Sequence, residues 1–137
     1  MLDAATNGEV FKAGDLYLNA PYFRLEPTDW ATGVFTVINF ENRLKWDKSK
    51  NNNAYRGAVE LRVSIYGNAW LVNEILLDDY IKGIDEVPNV WASEFHKAQA
   101  IAARSYALYY MERGGKHNGT AYILNAGSYD QVYRGYN

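Results

Sequence analysis

The chain has 137 residues, 48% hydrophobic and 22% charged, which suits one globular domain and excludes disordered and collagen-like classes. A formal net charge of −2, with lysines and arginines scattered, gives no electrostatic footprint for nucleic acid or an anionic membrane surface. Cysteine is absent, so no disulfide framework or thiolate metal site can form, and no apolar run approaches the roughly 20 residues of a membrane-spanning helix.

The N-terminal MLDAATNGEV has no basic region followed by an apolar stretch, so it is not a signal peptide. Either the protein stays inside the cell, or an export segment lies outside these residues. Residues 8–40 read as short strands broken by turns, in EVFKAGDLYLNA, YFRLEPTDW and GVFTVINF, the last being the clearest. KWDKSK at 45–50 reads as a solvated turn, and DKSKNNN at 47–53 as a polar loop with nothing to bury. The strongest strand signal is AVELRVSIY at 58–66. There Val59, Leu61, Val63 and Ile65 alternate with Glu60, Arg62, Ser64 and Tyr66, the period of a half-buried strand. Gly67-Asn68 then predicts a two-residue hairpin turn before AWLV, because both residues tolerate positive φ.

LLDDYIKG at 76–83 predicts one or two helical turns, with Asp78 as N-cap and Gly83 as the stop. Val87 must be non-helical, since Pro88 pushes its predecessor out of the α region. Residues 93–113 predict one long alanine-rich helix, capped by Ser93 and ended by Gly114-Gly115. Lys97 and Arg104 share a stripe with Ile101 and Leu108, while Gln99 and Tyr106 fall roughly opposite. Small residues nearly all round predict a central, buried helix with strands, including the 58–72 hairpin, packed around it in an α+β fold. Buried there, Lys97 and Arg104 must either pair with acids or be aimed at a ligand. The tail AYILNAGSYDQVYRGYN reads as a short apolar stretch, a turn and another short strand-like run.

His96 and His117 are the only histidines, and neither has a partner at metal-ligand spacing, so no metal and no cofactor is expected. Glu86 stands out because Pro88 stiffens its segment and Val87, Tyr80 and Trp91 lie close in sequence. A carboxyl among apolar groups keeps its proton to higher pH, as a general acid near neutrality requires, and a neighbouring Asp85 turned the same way would add to this. Surface Asp-Glu pairs are also common, so the residues alone leave a structural role open.

EVPNVWASEFHKAQAIAARSYAL resembles the signature of the stage II sporulation protein D and amidase-enhancer family. Glu86, Pro88, Trp91, Glu94, Lys97, Ala98, Gln99, Ala100, Ala102, Ala103, Arg104, Tyr106 and Ala107 match that pattern in register. YRGAVEL at 55–61, LVNEILLDDYIKGI at 71–84 and QVYRG at 131–135 are similar to its flanking motifs, so the likeness covers roughly 80 residues. The family's sporulation member is a lytic transglycosylase acting on peptidoglycan glycan strands. The resemblance implies that Glu86 is the catalytic acid, with Lys97, Gln99, Arg104, Tyr106, Gln131 and Tyr133 serving the substrate. It implies an extracytoplasmic location and glycan strands as the partner. The amidase-enhancer branch implies an alternative, a non-catalytic wall-binding modifier of an amidase. Val87 stands where the family has Met and keeps an apolar wall. A cysteine-containing metal site found in some members is absent. The chain ends at Asn137, where the family's domain runs on, so residues 1–137 are expected to be the first half to two-thirds of one such domain.

Overall fold

A computed structural model describes residues 2–5, 10–13, 16–19, 22–45, 48–63 and 68–136, with side chains from residue 22 onward. It is an α+β arrangement of short antiparallel strands in small sheets and two helices. β1 (Leu2–Ala5), β2 (Val10–Ala13) and β3 (Leu16–Asn19) form a three-stranded meander. A second sheet joins β4 (Tyr22–Leu25), β7 (Ala58–Val63) and β8 (Ala69–Glu74), with β7 in the middle. Between β4 and β7, β5 (Val34–Thr36) pairs with β6 (Ala54–Arg56). The helices are α1 (Leu77–Lys82) and α2 (Ser93–Met111).

The β7–β8 hairpin forms as the alternation predicts, pairing Ala58 with Glu74 through to Val63 with Ala69. Residues 64–67, which include Gly67 of the turn expected at Gly67-Asn68, lie outside the described residues. The polar face of β7 differs from expectation, because Glu60 is only 8% exposed. The reason is register. Arg24 of β4 lies directly opposite Glu60, so its guanidinium covers that face and donates at 2.7 Å, while Arg62 adds a bond at 2.6 Å. Burial pushes the Glu60 carboxyl up, and the two guanidinium groups outweigh it and hold it below the ordinary value.

The segment expected to bury nothing also behaves otherwise. Asn52 is buried, and the run Asn51–Asn53 works as a set of backbone clips. Asn51 donates to the Phe40 carbonyl and accepts from the Asn42 amide, Asn52 donates to the Asn42 carbonyl, and Asn53 to that of Val37. These amides satisfy carbonyls of the stretch that follows β5, where Asn39 turns the chain at φ 61°.

The α2 helix starts at Ser93 as predicted but ends at Met111 rather than 113, and it is not the buried centre of the fold. Only Ala103 and Ala107, one turn apart, are buried, while Ile101 is 68% and Leu108 40% exposed. Among the described elements its main neighbour is α1, not the hairpin, so packing reaches a single stripe. The hairpin connects to it indirectly, through Trp70, whose ring meets that of Tyr122 in the loop after α2 at a centroid distance of 5.1 Å and a tilt of 60°. Neither expected side-chain cap forms. The residues flanking the helix starts are Leu76 and Ala92, and Asp78 lies inside the first turn of α1, where it meets Arg104 instead. Among the described residues the C-terminal run holds no strand, and an isolated bridge joins Ile84 to Tyr133.

Candidate functional site

That bridge builds the site. After α1 stops at Gly83, residues 83–86 run antiparallel to 132–134. Arg134 donates its amide to the Gly83 carbonyl at 2.9 Å, and Asp85 donates to the Val132 carbonyl at 2.8 Å. Val132 in turn donates its own amide to Oε1 of Glu86 at 3.1 Å. Pro88 then turns the chain, with Trp91 donating to its carbonyl at 3.0 Å, and α2 begins two residues later. Gln99, in the second turn of α2, reaches back and donates from Nε2 to Oε2 of Glu86 at 2.5 Å. Each oxygen of one solvent-exposed carboxylate is thus held by a neutral donor, one from backbone and one from the helix.

Beneath Glu86 lies an aromatic floor. Tyr80 of α1 and Tyr133 stack with centroids 5.2 Å apart. Tyr133 is buried and donates to Oδ1 of Asn73, whose own amide donates to the carbonyls of Arg56 and Ala58. Tyr80 donates to Oε1 of the buried Gln131 at 2.9 Å. Burial, and then the negative charges of Glu86 and Asp130, push the Tyr80 phenol well above its ordinary value, so it stays a donor. A Cβ on Gly83 would meet the Tyr133 ring at 2.4 Å, so a side-chain-free residue at the helix stop lets this ring pack beneath.

The other expected site residues separate into two groups. Lys97 and Arg104 do not approach Glu86. Lys97 pairs with Glu94 one turn away at 2.7 Å, and Arg104 with Asp78 at 2.5 Å, all four being well exposed. With the helix lying on the surface, the burial argument that tied these cations to Glu86 fails. Asp85 likewise turns away, towards Arg134 at 3.5 Å. The apolar enclosure expected around Glu86 is not present among the described residues. Gln131 and Tyr133 face inward and spend their polar atoms on Tyr80 and Asn73, so they support the site from below. A pocket lined by Arg56, Asp79, Lys82 and Tyr136 shares Gly83 and Tyr133 with this floor, and Glu86 is not among its lining residues.

Sequence reasoning missed a second polar cluster. The Asp130 side chain is fully buried and takes bonds from Lys116 Nζ, His117 Nε2 at 2.7 Å and the Asn125 amide at 2.6 Å. Lys116 also donates to the Tyr106 hydroxyl at 2.8 Å and the Tyr129 carbonyl at 2.9 Å. Tyr106 therefore belongs to this cluster, not to Glu86. Burial raises the Asp130 carboxyl, and the Lys116, Asn125 and His117 donors overcome that and hold it below its ordinary range. Lys116 is held well above its own, first by its bond to Asp130. The available signal was Lys116-His117 side by side in a Gly-rich connection, with an aspartate just before QVY.

Residues 66–137, more than half of the chain, match the profile of the family described as stage II sporulation protein, and the chain belongs to that family. Membership points to a cell-wall-related role. An uncharacterised protein of Brachyspira hyodysenteriae is 37% identical over 67 residues, which cover 47% of this chain and 18% of that protein's length. No solved structure matches the chain.

Proposed function

We propose that the chain carries the working carboxylate, Glu86, of a peptidoglycan-acting lytic transglycosylase. The observation that carries this reading is the presentation of Glu86, an exposed carboxylate with both oxygens positioned by Gln99 and the Val132 amide. In the reaction the protonated carboxyl gives its proton to the glycosidic oxygen, the bond from C1 to that oxygen breaks, and positive charge develops on the ring as in glycosidases generally. The resulting carboxylate takes the proton of the same sugar's 6-hydroxyl, whose oxygen closes on C1 to leave a 1,6-anhydro ring. One carboxylate serves both steps, because no water has to be activated. Lys97 and Arg104 stand as candidates for the substrate on α2, and Tyr106, Gln131 and Tyr133 as supports. The location proposed is extracytoplasmic, at the cell wall.

A second reading, a wall-binding modifier of an amidase, draws on the exposure of Glu86 at the surface. Mass spectrometry of purified glycan strands separates the two. New anhydro-muramoyl ends formed by the wild type and lost in Glu86→Gln support the enzyme. New reducing ends would mean a hydrolase, and unchanged strands that still bind would mean the modifier.

A further inference from the structure

Asp130 makes no contact with Glu86, yet it gathers more donors than any other carboxylate near the site. A fully inaccessible charged group persists only where its oxygens are satisfied, and removing one partner leaves the rest uncompensated. Here three donors converge from two stretches of chain: Lys116 and His117 from the loop after α2, and the Asn125 amide from the turn before Asp130 itself. Two residues beyond Asp130, Val132 exchanges bonds with the 85–86 segment, donating to Glu86 and accepting from the Asp85 amide. Between them Gln131 is locked to Tyr80. Three consecutive residues thus lock to three different parts of the fold, and only one of these locks is an ion cluster.

We propose that Asp130 is the positioning residue of the Glu86 site, its buried carboxylate fixing the 130–133 run in the register that aims the Val132 amide at Glu86. This rests on the reading of Glu86 as the working carboxylate. The Lys116 ammonium anchors the run to α2 through Tyr106, on the helix that also supplies Gln99. Both donors to Glu86 are therefore referenced to one rigid helix, so a loss of the Asp130 cluster shifts one donor relative to the other. A shift of that kind, well short of unfolding, is enough to lower a rate while leaving binding intact.

The test uses the whole chain and does not depend on cleavage. In two-dimensional amide spectra taken from neutral to acid pH, the Val132 amide proton should move as the carboxyl it touches takes up a proton. That movement should vanish in Glu86→Gln, which assigns it to the Glu86 contact. In Asp130→Asn the excursion should fall by about half or more while α2 and β7–β8 resonances stay in place, and Lys116→Arg should retain it. Where wild-type cleavage is present, the turnover number should drop by about tenfold to 10²-fold in Asp130→Asn with KM moving little. An Asp130→Asn protein that folds and keeps the full Val132 excursion overturns the proposal. If that variant does not fold, Lys116→Met and His117→Gln decide in the same way, a reduced excursion supporting the role and an unchanged one overturning it. A wild type that cleaves no glycan removes the enzymatic reading but leaves the amide result to decide the positioning role.

Discussion

Gln99 donates to Glu86 at 2.5 Å across thirteen positions of chain, tying the first turns of α2 to the segment that precedes it. The two residues belong to different local structures, and the Pro88 turn lets them meet. A neutral amide at this place orients the carboxylate without adding a charge.

Truncation at this contact gives the first prediction. Gln99→Ala should leave the fold intact, because alanine is the better helix former and the side chain it replaces is only half-buried. It should lower glycan cleavage by at least about tenfold, since an unheld carboxylate samples unproductive orientations. Glycan-strand turnover followed by chromatography of anhydro ends measures it, with circular dichroism as the check on folding. Unchanged turnover would remove Gln99 from the site.

The second prediction concerns pH. Asp130 has a folded-state pKa below the ordinary value of 3.8. Its contribution to stability is present above that value and is lost as the pH falls through the lower, folded one. Lys116 is raised above its ordinary 10.5, so its contribution is present below that value and disappears only as the pH rises through the folded one. Thermal melts across pH should therefore show a plateau through neutrality with a falling limb on each side. Asp130→Asn should lower the plateau and flatten the acid limb, and Lys116→Met should flatten the alkaline one.

How far this arrangement was legible beforehand depended on distance along the chain. The β7–β8 alternation and the start of α2 are local, and periodicity with breaker residues marks them. Glu86 stands out from its own segment, but its role and that of Gln99 come from a resemblance to a motif, which names residues without saying which ones touch. The alanine-rich helix misled, because small residues permit close approach without supplying a neighbour, and α1 covers only the Ala103–Ala107 stripe. The Asp130 cluster spans 14 positions from Lys116, and Glu60 needed the register of β4, so neither has a local pattern.

Gly83 gives the third prediction. Its φ of −90° suits any residue, so a substitution there acts through space alone. A Cβ would lie 2.4 Å from the Tyr133 ring and 2.7 Å from the Gly135 carbonyl oxygen, closer than real atoms approach. Gly83→Ala should therefore push Tyr133 off Tyr80 and cost about 1–3 kcal/mol, the range for overpacking. Urea unfolding should show a lower midpoint with an unchanged slope. A midpoint equal to the wild type would mean that this floor is loosely packed.

The last prediction separates fold from substrate on α2. Arg104 and Asp78 form an ion pair with side chains 52% and 71% exposed, where water screens the attraction. Replacing Arg104 by Met should change stability by only about 0–1 kcal/mol, as for exposed pairs in general. The guanidinium is nonetheless planar, permanently charged and rich in donors, properties that suit the carboxylates and hydroxyls of a wall polymer. If it serves substrate, Arg104→Met should weaken binding of glycan strands while leaving the melting temperature almost unchanged. Asp78→Asn, which frees the same guanidinium, should leave binding unweakened. A sedimentation assay with insoluble glycan, run beside thermal melts of both variants, reads the two effects separately. Equal binding by wild type and Arg104→Met would confine Arg104 to its pair with Asp78, and the substrate contacts would then have to lie nearer Glu86 and Gln99.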